Sequence, residues 1–550
     1  MLAERGHLLV GVGAGLVALG LILGHAGALL VGVVLLAALV LQLRWLRGQL
    51  GGGAPWGLRI SLGAPAREAS VRGLDARSHR VGHRLRLELH MALPPGRPGL
   101  RLRPLEWRAT DGLEVAIAGR EVPVAAAGEA AVAVDVTART AAIHRVFGLR
   151  AELIDAHGLL RAEVFLPCSY EIAVLPRSLP LDSRHLAETR RNVQRAAGGT
   201  RPDRVAGQGD ELRELREHLP GDAFKHIAWK ASARRGRLMS RVFEHERARA
   251  LFSVLDVGAT MREGRLGAAP LDQGLDLVHS LAELSARRNL PFGLSLVDGE
   301  VVDRRPVLEG LPAVRACDAA LLDVRRAVAE RLAPMPEDAL LELVAGYLRS
   351  IDQVDLPRGQ SGAEWVAFRQ RTVMAALARL PERERSPLFR GPEPSLRADL
   401  SILRRFCRAA DLALPYRDPL PPATRADGLA AGIEAARRAK KGPFVIVVAS
   451  DFHGLRGQTD PILRAAAAAR AAGHRVIAVS LREHEDDALL EHTLSPETSD
   501  TARGLWRADR AAREALHDEL RHGLRRAGAA FVDDPAPGAL VHLWAAGAFR

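Results

Sequence analysis

Cysteine is scarce. Cys168, Cys317 and Cys407 are spread over 550 residues, and no CxxC pair occurs. That spacing argues against a disulfide scaffold and a cysteine-based zinc module. Aromatic residues make up only 4%, so any core rests on Ala, Leu and Val. Lysine occurs at just Lys225, Lys230, Lys440 and Lys441, so the net charge of +12 is almost wholly arginine. This excess accompanies a general richness in Ala, Gly, Arg and Leu. It reads as a solvated basic surface, with no nucleic-acid partner implied. GxSxG, HExxH and Walker A patterns are missing, and with them three common catalytic signatures. Cys168 lies near Pro167 at an expected strand edge, a poor place for a nucleophile. The chain is read as a non-enzyme. What is plentiful is apolar side chain, at 48%, which excludes wholesale disorder. The length suggests roughly three or four domain-sized units.

Residues Leu8 to Leu43 carry no Asp, Glu, Lys or Arg. As one helix the run would reach about 54 Å, too long for a bilayer core of about 30 Å. Divided at Gly24-His25, it gives two segments of about 17 and 18 residues, each near the minimum spanning length. A secretory signal fits less well, because its apolar core is shorter. Arg5 precedes the first span, Arg44 and Arg47 follow the second, and the turn has no Lys or Arg. By the positive-inside rule both ends face the cytoplasm, which places the soluble part on the cytoplasmic side of the inner membrane.

The expected organisation is multidomain α+β. Residues 1–50 form the transmembrane helical hairpin, and Gly51-Gly-Gly-Ala-Pro55 is a linker. Residues 57–178 alternate with period two, as in Leu85/Leu87/Leu89/Met91 and Val132/Val134/Val136, and predict an antiparallel β-sandwich. Residues 181–250 hold a linker and a signature segment. From 251 to 550, buried strands at 251–255, 291–297, 444–449 and 475–479 alternate with helical stretches, which predicts an α/β domain with a parallel sheet. Residues 312–420 interrupt that rhythm with amphipathic helices around 314–332, 337–351, 363–380 and 395–413. This is a helical insertion, too long for a loop.

The segment from Gly207 to Arg234 contains Glu211, Arg213, Leu215, Arg216, Gly221, Asp222, Ile227, Trp229, Ser232, Ala233 and Arg234 in order. It resembles the family catalogued as domain of unknown function 58. His218, Lys225 and Ala228 depart from that family's pattern, which usually has Tyr, Arg and Asp there. Asp155-Ala-His-Gly158, Ser450-Asp451-Phe452 and the paired N-terminal spans also resemble it. Read from the residues alone, Arg213 and Arg216 are i,i+3 on a helix with Glu211, Glu214 and Glu217 between, Asp222 caps a second helix, and Trp229 is a packed anchor. The segment is then an internal clamp of arginine–carboxylate pairs, or else an Arg-lined pocket for a partner's carboxylate or phosphate.

Asp256-Val-Gly-Ala-Thr260 resembles the first metal motif of a von Willebrand factor A domain, Asp-x-Ser-x-Ser, with Gly258 replacing the first hydroxyl. Thr424 and Asp451 stand where the second and third motifs would. The resemblance implies a degenerate Mg²⁺ site of Asp256, Thr260, Thr424 and Asp451, completed by water. The plainer alternative is that Asp256 caps a helix. The resemblance to the domain of unknown function 58 family implies a membrane-anchored interaction protein partnered by a MoxR-type AAA+ ATPase, in a system that matures or assembles other proteins. Two alternatives from other classes are a metal- or ligand-binding adhesion-type sensor without an ATPase and an unrecognised hydrolase.

Overall fold

The computed structural model describes residues 3–51, 57–62, 79–92, 100–116, 121–125, 129–179, 206–217, 227–244, 250–326, 329–350, 367, 371–375, 401–410, 412–439, 442–481, 500–533, 538–539 and 543. The chain divides into two compact units: residues 1–175 with 322–417, and residues 176–321 with 418–550.

The first unit opens with two apolar helices, α1 (Glu4–Leu23) and α2 (Ala26–Gly51). Their apolar stretches, Arg5–Leu23 and Ala26–Arg44, have mean hydropathies of 2.1 and 2.6 and are long and apolar enough to cross a membrane. Gly24 ends α1 in the left-handed region at φ 66°, where glycine has no Cβ penalty. The His25 Nδ1 accepts the Ala28 N–H at 3.2 Å, so the turn histidine caps α2. The helices pack closely through glycine: a Cβ on Gly32 would meet the Gly13 carbonyl at 2.8 Å, and one on Gly20 would meet the Leu29 backbone at 2.6 Å.

Two largely antiparallel sheets follow. One has the order β1 (Gly57–Leu62), β3 (Arg84–Ala92), β7 (Glu129–Ala138) and β5 (Leu113–Ala116). The other runs β2 (His79–Arg80), β9 (Arg161–Leu175), β8 (Ala142–Ile154), β4 (Arg101–Ala109) and β6 (Val122–Pro123). The period-two apolar residues face inward as expected: Leu85, Leu87, Leu89 and Met91 are all buried. A helical cluster belongs to this unit. Leu340, Val344 and Leu348 of α6 (Glu337–Ser350) pack with Val373 and with Leu403, Phe406 and Cys407 of α7 (Ile402–Ala409). Tyr347 of α6 meets Phe147 of β8 and Phe406 of α7 edge-on, at 5.8 and 5.6 Å. Of the helix expected at 363–380, only residues 367 and 371–375 lie within the described residues.

The second unit is an α/β layer around a six-stranded sheet ordered β14, β13, β12, β15, β16 and β17. The central strands β12 (Ala250–Asp256), β13 (Phe292–Val297), β15 (Phe444–Ser450) and β16 (Arg475–Ser480) are parallel and almost wholly buried, as their unbroken apolar runs require. β14 (Val301–Leu308) is an antiparallel edge and β17 (Ala530–Val532) a short parallel one. Helices α4 (Pro270–Arg287), α5 (Gly310–Asp323), α8 (Pro422–Arg437), α9 (Asp460–Ala471) and α10 (Asp500–Ala527) accompany the sheet. The chain visits β12, β13 and β14 on one side, then crosses to β15 on the other. The direction of winding therefore reverses between β12 and β15.

One expectation fails here. The Glu211–Glu217 stretch is not helical but forms β10 (Ala206–Glu217), paired antiparallel with β11 (Met239–Glu244). Its i,i+3 charge spacing suits a helix, but an available partner strand decides the conformation, with a bulge on either side of Leu212. The short helix α3 (Trp229–Arg235) precedes β11.

Candidate functional site

β12 and β15 are neighbours, and their carboxyl ends bring Asp256 beside Ser450 and Asp451. In an open α/β sheet, the carboxyl edge at a reversal of strand order is the usual place for a ligand site. The Asp256 carboxylate is fully engaged. Its Oδ1 accepts the Gly258 N–H at 2.9 Å, and its Oδ2 accepts the Ser450 hydroxyl at 2.7 Å. The same Oδ2 also accepts Arg425 Nη2 at 3.0 Å.

Arg425 is the centre of the arrangement. Its Nη2 also donates to Asp451 Oδ1 at 2.8 Å, and its Nη1 donates to the His453 carbonyl at 2.6 Å. The residue is only 5% exposed. Helix α8 delivers it there. Gly428 and Gly432 share a face with Arg425 and let the helix lie close to the sheet. A Cβ on Gly428 would meet the Gly299 backbone at 2.6 Å, and one on Gly432 would overlap Val254.

The loop that receives the guanidinium is tightly set. Phe452 is fully buried and adopts φ 51°, a conformation costly for a side chain of its size. Its N–H donates to Ser450 Oγ at 3.1 Å, and the Asp451 Oδ1 accepts the His453 N–H at 3.1 Å. Burial pushes the Asp256 carboxyl above its ordinary range, while Arg425, Ser450 and Gly258 oppose that rise. Burial also works against the charge on Arg425, but the two carboxylates more than offset it and hold the guanidinium protonated.

The four residues expected to hold Mg²⁺ are therefore placed unequally. Asp256 and Asp451 do converge on one point, but a guanidinium occupies it. Thr260, in a short 3₁₀ turn, is buried and its hydroxyl has no hydrogen-bond partner. Thr424 is exposed in the first turn of α8, its methyl group close to Gly299. Gly258 stands where a hydroxyl was expected, and a side chain there would be tight: a Cβ would sit 3.0 Å from Asp298 Oδ1 and 3.1 Å from Asp256 Oδ1. Among the described residues, no group of three or more His, Cys, Asp or Glu could hold a metal ion. As they stand, these residues do not fit Mg²⁺, since an ion between the carboxylates would have to displace Arg425.

The signature residues are distributed differently. Glu211, Arg213 and Arg216 lie in β10, while Gly221 and Asp222 fall outside the described residues. Trp229 is 55% exposed and is not the packed anchor expected, and Arg234 is exposed beside it. The buried member of α3 is Ser232, which donates to the Ala228 carbonyl and accepts the Met239 N–H at 2.8 Å. The three thiols are held protonated by burial, with Cys168 and Cys407 pushed up to about 12 and Cys317 raised as well.

Sequence reasoning missed Arg425 itself. The available signal was a lone arginine in line with Gly428, Leu429 and Gly432 on the small, apolar face of a helix. It also missed a buried polar cluster on α4. His279 Nδ1 lies 2.6 Å from Asp318 Oδ1 of α5, and its Nε2 lies 3.5 Å from Glu283 Oε1. Asp276, Ser280 and Glu283 bind the segment before β10 through the Arg177 N–H, the Leu179 N–H and the Ser178 hydroxyl.

Fold and site together define a mixed α/β protein with two apolar N-terminal helices and a closed ion-pair site at a sheet edge. Residues 214–348 match the family described as protein of unknown function DUF58. The match begins inside the signature segment and includes Asp256, but ends before Arg425 and Asp451. No curated protein matches the chain.

Proposed function

We propose that this chain is a membrane-anchored interaction protein with its soluble domains in the cytoplasm. In this reading it works with a MoxR-type AAA+ ATPase in the maturation or assembly of other proteins. The observation that carries the anchoring is the hairpin surface. Leu8, Leu21, Ile22, Leu30 and Leu41 are each at least 65% exposed, a cost that lipid removes. The flanking Arg5, Arg44 and Arg47 favour a cytoplasmic disposition. The Ala3 N–H donates to the Leu159 carbonyl at 2.9 Å, which agrees with the N-terminal end lying on the same side as the first unit's sheets. In finer terms, those sheets are read as a β-sandwich. The α/β unit is read as von Willebrand factor A-like, supported by its parallel strands and by Asp256 and Asp451 at the strand reversal. The alternative of an adhesion-type sensor needs an open cation or ligand position, and Arg425 stands in it.

The ATPase partnership rests on the resemblance and is tested by affinity purification of the full chain from solubilised membranes with and without ATP. Retention of a MoxR-type ATPase that changes with nucleotide is expected. Its absence under both conditions would contradict the partnership and leave the anchoring untouched.

A further inference from the structure

The carboxyl edge of the six-stranded sheet brings two carboxylates, Asp256 and Asp451, together around one guanidinium. We infer that Arg425 is a built-in replacement for a divalent metal: it closes the Asp256/Asp451 site to Mg²⁺ in the native protein, and its removal uncovers a latent divalent-cation site.

The geometry supplies each part. One guanidinium nitrogen reaches both carboxylates, at 3.0 and 2.8 Å, where a shared ion would bridge them. The charges also decide the matter. Two carboxylates and one guanidinium leave a residual single negative charge. A divalent ion added beside Arg425 would raise the local cationic charge to three against two carboxylates, within a few ångströms and away from water. The same ion in place of Arg425 balances the pair. The oxygens around the guanidinium are of the hard type that Mg²⁺ and Mn²⁺ prefer: the two carboxylates, and the Ser450 hydroxyl that donates to Asp256. Arg425 also fastens the loop, through the His453 carbonyl, so it does structurally what a bound ion would do.

Mn²⁺ titration of the full chain in detergent micelles, read by the electron-spin resonance of free Mn²⁺, tests the inference. Wild type and Asp451→Asn should give the same weak background. Arg425→Ala should gain one site per chain, at least tenfold tighter than that background, and Arg425→Ala/Asp451→Asn should lose it. Should Arg425→Ala fail to fold, Arg425→Gln removes the charge while keeping much of the side chain, and must show the same gain and the same dependence on Asp451. A wild-type site that disappears in Asp451→Asn would overturn the inference, whatever the variants do. So would a folded Arg425 variant with no added site.

Discussion

Arg425 is buried between the buried Asp256 and the half-buried Asp451 carboxylates, and removing one member of such a set leaves charge without compensation. Arg425→Ala should therefore destabilise the α/β unit by about 3–5 kcal/mol. Urea denaturation checks this, and a loss below about 1 kcal/mol would mean that the ion pairs are exposed to water. Trp229 makes the opposite case. At 55% exposure it has little burial to lose, so Trp229→Ala should shift stability by no more than about 0.5 kcal/mol. A loss several times larger would restore it as a packed anchor. The contrast explains why single residues were hard to read. A large aromatic suggested a core position, and an arginine beside Thr424 suggested nothing, yet burial depends on how each element is seated.

That seating is an affair of elements. Helix α8 lies close to the sheet because Gly428 and Gly432 have no side chains, so Gly428→Ala should cost roughly 1–3 kcal/mol through overpacking. Gly346 in α6 offers a control: a Cβ there would meet nothing within 4 Å, and Gly346→Ala should stabilise by about 0.5–1 kcal/mol. Equal effects at the two positions would contradict the close approach of α8. On α4, burial works against a charged His279, but Asp318 and Glu283 hold its pKa up at about 9. Its contribution is present in full below about pH 6.5 and is lost as pH rises through about 9, an effect of order 3 kcal/mol. Asp276, raised to about 7 by burial, acts in the same direction by losing stability from about pH 4 to 7. The denaturation midpoint should thus fall between pH 6.5 and 9, and His279→Gln should flatten that fall. A slope unchanged in the variant would separate His279 from the pH response.

The buried strands at 251–255, 444–449 and 475–479 and the alternating ones at 85–91 and 132–136 were legible, because an apolar run or a period of two leaves few alternatives. β10 was not, since its partner strand supplies the information that its own charges lack. Half of the site was legible too. Asp256 and Asp451 each end an apolar run, whereas Arg425 reaches them only through the helix packing that Gly428 and Gly432 permit.

For the whole molecule, the proposed location rests on the two apolar helices, which are long and apolar enough to cross a membrane. Their packed faces meet through glycine contacts at Gly13, Gly20 and Gly32, and their outer faces leave large apolar side chains exposed, the surface on which the proposed anchoring rests. The most direct test of the account is a pair of reporters fused after Arg550 in membrane-inserted protein, one active only outside the cytoplasm and one fluorescent only within it. Membrane-bound fluorescence and no activity from the outward reporter are expected. An active outward reporter, or a fluorescent fusion that stays soluble, would contradict it.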